Sequence, residues 1–587
     1  MRGWYHLYGL RLLIILFLSV NFLKVTSSKA LTSSNPENLS LFTLNSQRSQ
    51  MTDTEQPPPE ETCSYRAKPF RDEMTPIPLL TVLLENQRVV IEIRGSSVFT
   101  QEDFLTDEDI KKLITAYENR TLSAEEFSQV YLNLANAITQ FYLNQGYITS
   151  KANPENPIRI NEQGIAVIPI VEGRLSQIQV LGRERLNLSY LCHRVALGVD
   201  APINIIELEK QLRLLNLNPL LETIEASLRG TGQTGLSVLV VTVVEANPIG
   251  GSLSVDNYSP PTLGSERIGA GLYHRNLSGI GDQLFLNYYN STSNGNRFFD
   301  ATYQVPLNPM EGTLQLRVTP QWTKITLPPF DQLEITGQNQ GYQITYRQPL
   351  KRTLSEEFAL SVGFQYQDGR TLGLGRLETL ERTNSSVFQF SQDYLNRDPQ
   401  GIWLVRSQFN WGTQEVDRTE FAVRDFLPGG SLFNWLGQVQ RLQRLNDDHL
   451  LIIQADFQLS ADPLISYYLF VMGGGQSLRG YRQNARSGDN GFRLSIEDRI
   501  TLVRDEDKNP YFQIAPFIDL GKVWNSSGNR VSLPSQTFLV GTGLGIIWNP
   551  LENLSIRLDY GIPWVDLDDR GNNLQDDGFY FQVILSN

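Results

Sequence analysis

Cysteine and histidine are scarce, with two cysteines and four histidines in 587 residues. Two thiols cannot form a disulfide framework, and the scattered histidines supply no metal-ligand spacing. We therefore expect no metal and no other cofactor. We interpret Cys63 and Cys192 as two unrelated residues, and a disulfide between them is the alternative.

Positive charge and long apolar runs are also scarce. Lys and Arg number 50 against 63 Asp and Glu, a net charge of −13 that excludes a general nucleic-acid partner. The one long apolar run, Leu12–Leu23, excludes a polytopic helical membrane protein. With 19% charged residues, 10% aromatic residues and 45 glycines, the chain is too apolar to be disordered. Such a composition is compatible with a membrane β-barrel, whose strands alternate polar and apolar residues.

The N-terminus has the pattern of an export signal. Arg2 and Arg11 precede the apolar run, and Ser28-Lys29-Ala30 fits a cleavage site, which predicts a signal peptide over residues 1–30. A single membrane anchor is the alternative. Residues 31–87 begin with a stretch rich in Ser, Thr, Asn, Gln and Pro, and we predict that they form a linker. A short helix near Glu37–Ser46 is left open.

Two copies of one element order, β-α-α-β-β, follow the linker and predict tandem modules over 88–173 and 174–248. In the first module we predict a helix that begins at Thr106 and a strand over Tyr147–Ser150. Ser123-x-x-Glu126 is a capping box that predicts a long helix between them. In the second module Asn204-x-x-Glu207 predicts a helix in the same way. Leucine and phenylalanine at helical spacing predict the module cores.

Residues 249–587 show strand periodicity throughout. From Leu314 to Thr319, and again from Leu554 to Gly561, apolar and polar residues alternate with a period of two. We predict sixteen strands, at Gly250–Asn257, Arg267–Arg275, Gln283–Asn290, Arg297–Val305, Thr313–Lys324, Glu334–Arg347, Phe358–Tyr366, Ser386–Asp393, Ile402–Trp411, Phe433–Arg441, His449–Ser460, Phe492–Val503, Tyr511–Val523, Leu539–Trp548, Leu554–Ile562 and Gly578–Leu585. A soluble sandwich would alternate as well.

Loop length separates a membrane barrel from a sandwich. Connections after even-numbered strands are short, whereas several after odd-numbered strands are long, namely Gln367–Asn384, Gly412–Leu432, Ala461–Gly491 and Asn525–Phe538. Short periplasmic turns and long surface loops on an even number of strands are typical of outer-membrane barrels. We therefore predict α+β modules followed by an all-β, sixteen-stranded antiparallel transmembrane barrel with a polar lumen.

Three sequence motifs carry a family resemblance. Ile168–Gly182 resembles the joint between tandem POTRA domains, with Glu172-Gly173 ending one module and Gly182 ending the next strand. Leu478-Arg479-Gly480-Tyr481 resembles the sixth-loop motif of the outer-membrane protein translocation and insertion superfamily, and Phe517–Gly521 resembles its Phe-x-Asp-x-Gly motif. Two POTRA modules, with Val255-Asp256-Asn257 at the barrel start, are similar to the two-partner secretion transporters of the FhaC/ShlB/HecB type.

The resemblance implies roles for single residues. Arg479 would bond Asp519, with Glu497 as a second partner on the preceding strand, and Tyr481 would anchor the loop tip by packing. Gly480 and Gly521 complete the two motifs. The sequence pattern of Leu31–Thr54 does not clearly predict the N-terminal plug helix of the family.

The expected function is that of an outer-membrane translocator. It would secrete a large haemolysin- or adhesin-type exoprotein with an N-terminal secretion domain, captured in the periplasm by POTRA strand edges. We expect outer-membrane lipid around a monomer. An insertase of the same superfamily and a diffusion porin are the alternatives. No catalytic arrangement stands out, and Gly473–Gly475 lacks the Lys and Ser/Thr of a P-loop, so we expect no enzyme.

Overall fold

The computed structural model describes residues 61–63, 75–85, 87–328, 330–373, 378–418 and 429–587. The predicted signal peptide, the possible helix near Glu37–Ser46 and most of the predicted linker lie outside these residues. The chain divides into an α+β unit that ends at Ala246 and a barrel unit that begins at Asn247.

The first module is a mixed sheet covered by three helices. Its strands are β2 to β6, paired in the order β4-β2-β3-β6-β5, with β3 and β6 parallel. The bounds in chain order are β2 Ile77–Leu84, β3 Gln87–Arg94, α1 Gln101–Thr106, α2 Glu108–Tyr117, β4 Thr121–Leu122, α3 Ala124–Asn144, β5 Lys151–Ala152 and β6 Ile165–Val171. The Leu, Ile, Val and aromatic residues of the α3 face fill one continuous core against the sheet.

Local signals place the helices of this module. Ser123 and Glu126 form the predicted capping box at the start of α3. Asp107, not Thr106, caps α2, and a second box between Thr100 and Asp103 starts α1, which the sequence analysis missed. The predicted strand over Tyr147–Ser150 is wrong, because these residues form a turn before β5.

The second module repeats this plan with one addition from outside it. The elements are β7 Arg174–Leu181, α4 Leu188–Ala196, α5 Ile205–Asn216, β8 Leu221–Gly230 and β9 Leu236–Glu245. Strand β1, Glu61–Cys63, precedes the first module in sequence but pairs antiparallel with β7, so that the sheet order is β1-β7-β9-β8. Both β1 and β2 lie inside the segment predicted as linker. The prediction of a linker is therefore wrong for these residues.

A disulfide fixes β1 to the second module. Cys63 pairs with Cys192 on α4 across a sequence separation of 129 residues, with their Cα atoms 5.8 Å apart. The interpretation of two unrelated cysteines is wrong, because strand pairing brings Cys63 to the face covered by α4. A fork of hydrogen bonds from Arg183 to Glu61 adds a second attachment, and it lowers the pKa of the Glu61 carboxyl.

We expect Cys192→Ser to loosen the N-terminal unit. A cross-link that closes so long a loop contributes about 2–5 kcal/mol of unfolding free energy. Limited proteolysis of the full chain in membranes should therefore cleave residues 61–246 of the variant faster than those of the parent. A reductant should accelerate cleavage of the parent alone, and equal rates for parent and variant without reductant would contradict the prediction.

None of the helices among the described residues is long and apolar enough to cross a membrane.

Sixteen antiparallel strands close into the predicted barrel. They are β10 Ile249–Asp256, β11 Arg267–Arg275, β12 Gln283–Ser291, β13 Asn296–Pro306, β14 Thr313–Lys324, β15 Thr336–Arg352, β16 Glu356–Gly373, β17 Glu378–Asp398, β18 Gly401–Arg418, β19 Gly430–Arg444, β20 His449–Ser460, β23 Asn490–Arg504, β24 Pro510–Trp524, β25 Phe538–Leu551, β26 Leu554–Pro563 and β27 Phe579–Ser586. Between β20 and β23, the short strands β21 (Phe470–Met472) and β22 (Arg486–Gly488) pair with each other. The ring closes where β10 pairs with β27 over Ser252–Asp256.

Two predicted loops are strand over most of their described residues. Residues 367–373 and 378–384 extend the β16–β17 hairpin, and residues 412–418 extend β18. The sequence there is polar and resembles a loop. The backbone hydrogen bonds between the strands nevertheless continue, although these residues form no apolar face. Residues 461–489, 525–537 and 564–578 are the long connections among the described residues of the barrel.

The barrel wall is apolar outside and polar inside. Along β24, Gln513, Phe517 and Asp519 are buried, whereas Pro516 and Ile518 are exposed. Buried polar residues include Gln365, Asn410, Asn434 and Gln458 on other strands. An exposed apolar surface around a polar interior suits lipid outside and water within.

Candidate functional site

The long loop, residues 461–489, folds into the barrel and places its tip against the inner wall. Arg479 at the tip is 1% exposed, and Tyr481 is 2% exposed. The contacts of the tip reach β23, β24, β25 and β26, which are consecutive strands of the ring. The strand pair β21–β22 supports the tip from behind.

Arg479 and Asp519 form a two-pronged ion pair. The Nε atom donates to Oδ2 at 2.7 Å, and Nη2 donates to Oδ1 at 2.8 Å. The backbone N–H of Arg479 also donates to Oδ2 at 3.0 Å, and the Ser495 hydroxyl donates to Oδ1 at 2.6 Å. This fork geometry is specific to a guanidinium, so lysine could not replace Arg479.

The other two residues of the Phe-x-Asp-x-Gly motif, Phe517 and Gly521, share the buried face of β24 with Asp519. The Arg479 guanidinium carbon lies 3.3 Å from the ring centroid of Phe517, a cation–π contact. A Cβ atom on Gly521 would lie 2.9 Å from the carbonyl oxygen of Phe492 and 3.1 Å from the sulfur of Met472, which packs beneath the tip. The alternation of the strand thus turns all three motif residues toward the loop.

A wider ionic network surrounds Arg479. Its Nη1 donates to Glu497 at 2.5 Å, and Glu497 also accepts from Arg557 at 2.7 Å and from Arg499 at 2.9 Å. Asp559 bonds Arg557 at 2.7 Å and lies 3.4 Å from Arg479. Three guanidiniums thus meet three carboxylates, and all six groups are buried. Buried ions of this kind are stable only when every charge is paired.

The neighbours of Arg479 in the loop are held by the closing strands of the barrel. The N–H of Gly480 donates to the Tyr580 hydroxyl at 2.9 Å, and that hydroxyl donates to the Tyr481 carbonyl at 2.6 Å. The Tyr481 hydroxyl donates to the Val540 carbonyl at 2.8 Å and accepts from the N–H of Val565 at 3.1 Å. Tyr481 therefore contributes hydrogen bonds in addition to the predicted packing.

Two wall glycines allow the tip to approach this closely. A Cβ atom on Gly541 would lie 1.9 Å from the carbonyl oxygen of Arg479, and one on Gly561 would lie 2.4 Å from the nitrogen of Gly480. Both obstructing atoms belong to backbone, which cannot rotate away. Sequence reasoning did not single out either glycine.

We expect Gly561→Ala to displace the loop tip without removing a charge. Planar-bilayer recordings should show more frequent or larger openings than those of the parent, because the methyl group occupies the position of the tip backbone. Gly271→Ala is the matched control, since a Cβ there meets only the flexible side chains of Ser252 and Asn287. Equal conductance of Gly561→Ala and Gly271→Ala would contradict this steric role.

A second ionic contact fixes the loop near the end of β26. Arg482 donates to Asp569 at 2.6 Å, and Arg486 donates to the same carboxylate at 2.9 Å. Partial burial would raise the pKa of Asp569, but the hydrogen bonds and charge of Arg486 hold that pKa below its ordinary value.

The structure brings together all six residues that the sequence singled out: Arg479, Gly480, Tyr481, Glu497, Asp519 and Gly521. Sequence reasoning missed Arg499, Arg557, Asp559 and Tyr580. Strand alternation contains a signal for the first three, since Arg499 shares the parity of Glu497, and Arg557 and Asp559 share one face of β26. Only the three-dimensional structure shows that the faces of β23 and β26 meet around the loop tip.

No group of three or more His, Cys, Asp or Glu side chains in the described part of the chain could hold a metal ion. The three carboxylates near Arg479 are occupied by guanidiniums.

Family models match two parts of the chain. The haemolysin secretion/activation protein family ShlB/FhaC/HecB matches residues 235–547, and the ShlB-type POTRA domain matches residues 91–173.

Curated relatives match most of the chain at low identity. A heme/hemopexin transporter protein, HuxB, from Haemophilus influenzae is 22% identical over 498 residues, covering 82% of this chain and 84% of the relative. The outer membrane transporter CdiB of Escherichia coli is 24% identical over 407 residues, covering 67% and 66%. The solved structure of CdiB from Escherichia coli superposes with a TM-score of 0.63 at 20% identity, covering 89% of this chain and 93% of that one. This superposition supports the fold.

Proposed function

Because this chain belongs to the haemolysin secretion/activation protein family ShlB/FhaC/HecB, we propose that it exports its partner exoprotein through the lumen of its own barrel. The chain is an outer-membrane transporter of two-partner secretion with its POTRA modules in the periplasm, and its family implies a secreted exoprotein as partner. Members of the family are transporters rather than enzymes. Passage through the lumen, capture by strand edges, a monomeric state and a lipid-covered wall are our proposals.

The observation that carries the proposal is the docked loop. It crosses a polar interior and is held there by ion pairs and hydrogen bonds to the wall. Such contacts can be exchanged for hydrogen bonds with water when the loop leaves. A lumen closed by a removable segment suits a channel that opens for a polypeptide.

The second module offers an edge for capture. One side of its sheet is covered by β1, which the disulfide holds in place, and β8 is the outer strand on the other side. An extended segment of the exoprotein can add to the edge of β8 by backbone hydrogen bonds. The two edge strands differ in length, with three residues in β1 and ten in β8, so β8 offers the longer edge for this addition.

Co-expression with a candidate exoprotein tests the function. Full-length partner should accumulate in the medium only when this chain is present. A partner that lacks its N-terminal domain should remain in the cell. Release without this chain would overturn the proposal.

The two alternatives give other outcomes in the same cells. An insertase would lower the abundance of other outer-membrane proteins when it is absent, with no effect on the partner. A diffusion porin would conduct small solutes steadily without dependence on the partner. The family match favours neither alternative.

A further inference from the structure

A side-chain amide of the barrel wall contacts the backbone of the long loop where the loop enters the lumen. The Nε2 atom of Gln414 on β18 donates to the carbonyl oxygen of Pro463, and its Oε1 accepts from the N–H of Ile465 at 3.0 Å. Gln414 is fully buried. One amide thus pairs with the carbonyl of one residue and the N–H two residues later, as a residue of a neighbouring β-strand does. This contact recognises the backbone and no side chain.

A second wall glutamine makes the same kind of contact. The Nε2 atom of Gln458 on β20 donates to the carbonyls of Tyr468 at 2.8 Å and Asp489 at 2.9 Å. The loop backbone is extended at Ile465, with φ and ψ of −67° and 157°, and Ser466–Tyr468 then form one 3₁₀ turn. We call residues 463–468 the lumenal segment. The wall holds it largely by backbone hydrogen bonds.

Side chains of the lumenal segment complete the contact. Leu464 packs on Val387 and Leu432, two apolar residues that are buried beneath the loop. The Tyr467 hydroxyl accepts from Gln365 at 3.0 Å, and the Tyr468 hydroxyl lies 2.9 Å from the Ser385 hydroxyl. Tyr467 is still 49% exposed, so water-filled lumen adjoins this contact.

Uncharged amides continue from this contact across the wall. Gln365 accepts from Gln389, which accepts from Gln343, and on the next strands Gln408 donates to Asn410 and Asn410 to Asn434. We call these six residues together with Gln414 the amide strip. An amide offers both a donor and an acceptor, so it can bond a peptide of any sequence.

The amide strip and the site of Arg479 lie on different strands of the ring. The amide strip covers the sixth to tenth strands of the ring, β15 to β19, and the site of Arg479 covers the twelfth to fifteenth, β23 to β26. The long loop therefore contacts two different parts of the wall. The lumenal segment lies inside the lumen, where a chain that crosses the barrel would meet it.

We propose that the amide strip is a binding site for the backbone of an extended polypeptide. At rest the lumenal segment occupies the strip at Gln414 and Gln365, and during export a stretch of the exported chain takes its place. The inference rests on the proposed passage through the lumen for its biological ligand, but not for the binding itself.

A peptide and its ester analogue test the site. The probe is the capped hexapeptide Pro-Leu-Ile-Ser-Tyr-Tyr, which has the sequence of residues 463–468. The analogue has an ester oxygen in place of the isoleucine N–H and so lacks the donor to Gln414. Purified full chain with Arg479→Ala, which releases the loop tip, is reconstituted in a planar bilayer. We expect the peptide to block the current with dwell times about three- to tenfold longer than the analogue, the effect of one hydrogen bond.

The matched control separates this contact from a general effect on the lumen. Added to that background, Gln414→Leu should make the two dwell times equal, whereas Gln321→Leu should keep their difference. Gln321 faces the lumen on β14 and bonds Asn296. Equal dwell times on the background protein, or a difference that survives Gln414→Leu, would overturn the binding site. Failure of co-expressed export with peptide block intact would overturn the proposed function alone.

Discussion

Arg479→Ala should lower export of the partner while the barrel remains in the outer membrane. The substitution leaves Asp519 buried without a guanidinium, and breaking a buried ion pair costs about 3–5 kcal/mol. The equilibrium constant for docking of the loop should then fall by a factor of about 100 or more. Partner release into the medium, normalised to the membrane abundance of the transporter, is the measurement.

Two further variants separate the ion pair from a general loss of fold. Arg479→Ala/Asp519→Ala removes both charges, so it should destabilise the docked loop less than the sum of the single variants. Arg482→Ala removes a loop arginine that is partly exposed, and it should reduce export far less. Unchanged export by Arg479→Ala at equal membrane abundance would contradict the role assigned to this arginine.

Glu497→Gln should destabilise the barrel more than any other single loss of a carboxylate in this network. Glu497 accepts from Arg479, Arg499 and Arg557, so the amide leaves three buried guanidiniums with two carboxylates. The free energy of unfolding should fall by about 3–5 kcal/mol. The temperature at which the folded band disappears in a detergent gel measures this loss.

Glu356→Gln provides the matched comparison. Glu356 pairs with Lys351, whose side chain is largely exposed, so its loss should cost no more than about 1 kcal/mol. Equal shifts in unfolding temperature for Glu356→Gln and Glu497→Gln would contradict the role of the buried network.

The sequence predicted the fold best in strands whose two faces differ in burial, because polar and apolar residues alternate there. Strands β11, β14 and β20 have their predicted bounds, because an outward apolar face and a lumen-facing polar face impose a period of two. The extensions of β16, β17 and β18 escaped prediction, because polar residues on both faces remove that period. Hydrogen-bonded ladders continue there without a sequence signal.

Contacts between distant segments limited the prediction of the site and the modules. Two short motifs predicted the pair of Arg479 with Asp519. No motif places Arg557 and Asp559, which lie two strands beyond Asp519, beside the docked loop tip. In the same way, no local pattern in Glu61–Cys63 indicates that this strand skips the first module to pair with β7. Backbone pairing over such a distance depends on the whole fold.

The balance of charge around Arg479 has a consequence for ions. With the loop docked, Arg479, Arg499 and Arg557 neutralise Glu497, Asp519 and Asp559. When the loop leaves, it takes one positive charge with it, and the wall keeps three carboxylates against two guanidiniums. Fixed negative charge in a narrow aqueous passage favours cations over anions. The opened lumen is therefore more cation-selective at this wall than the resting one.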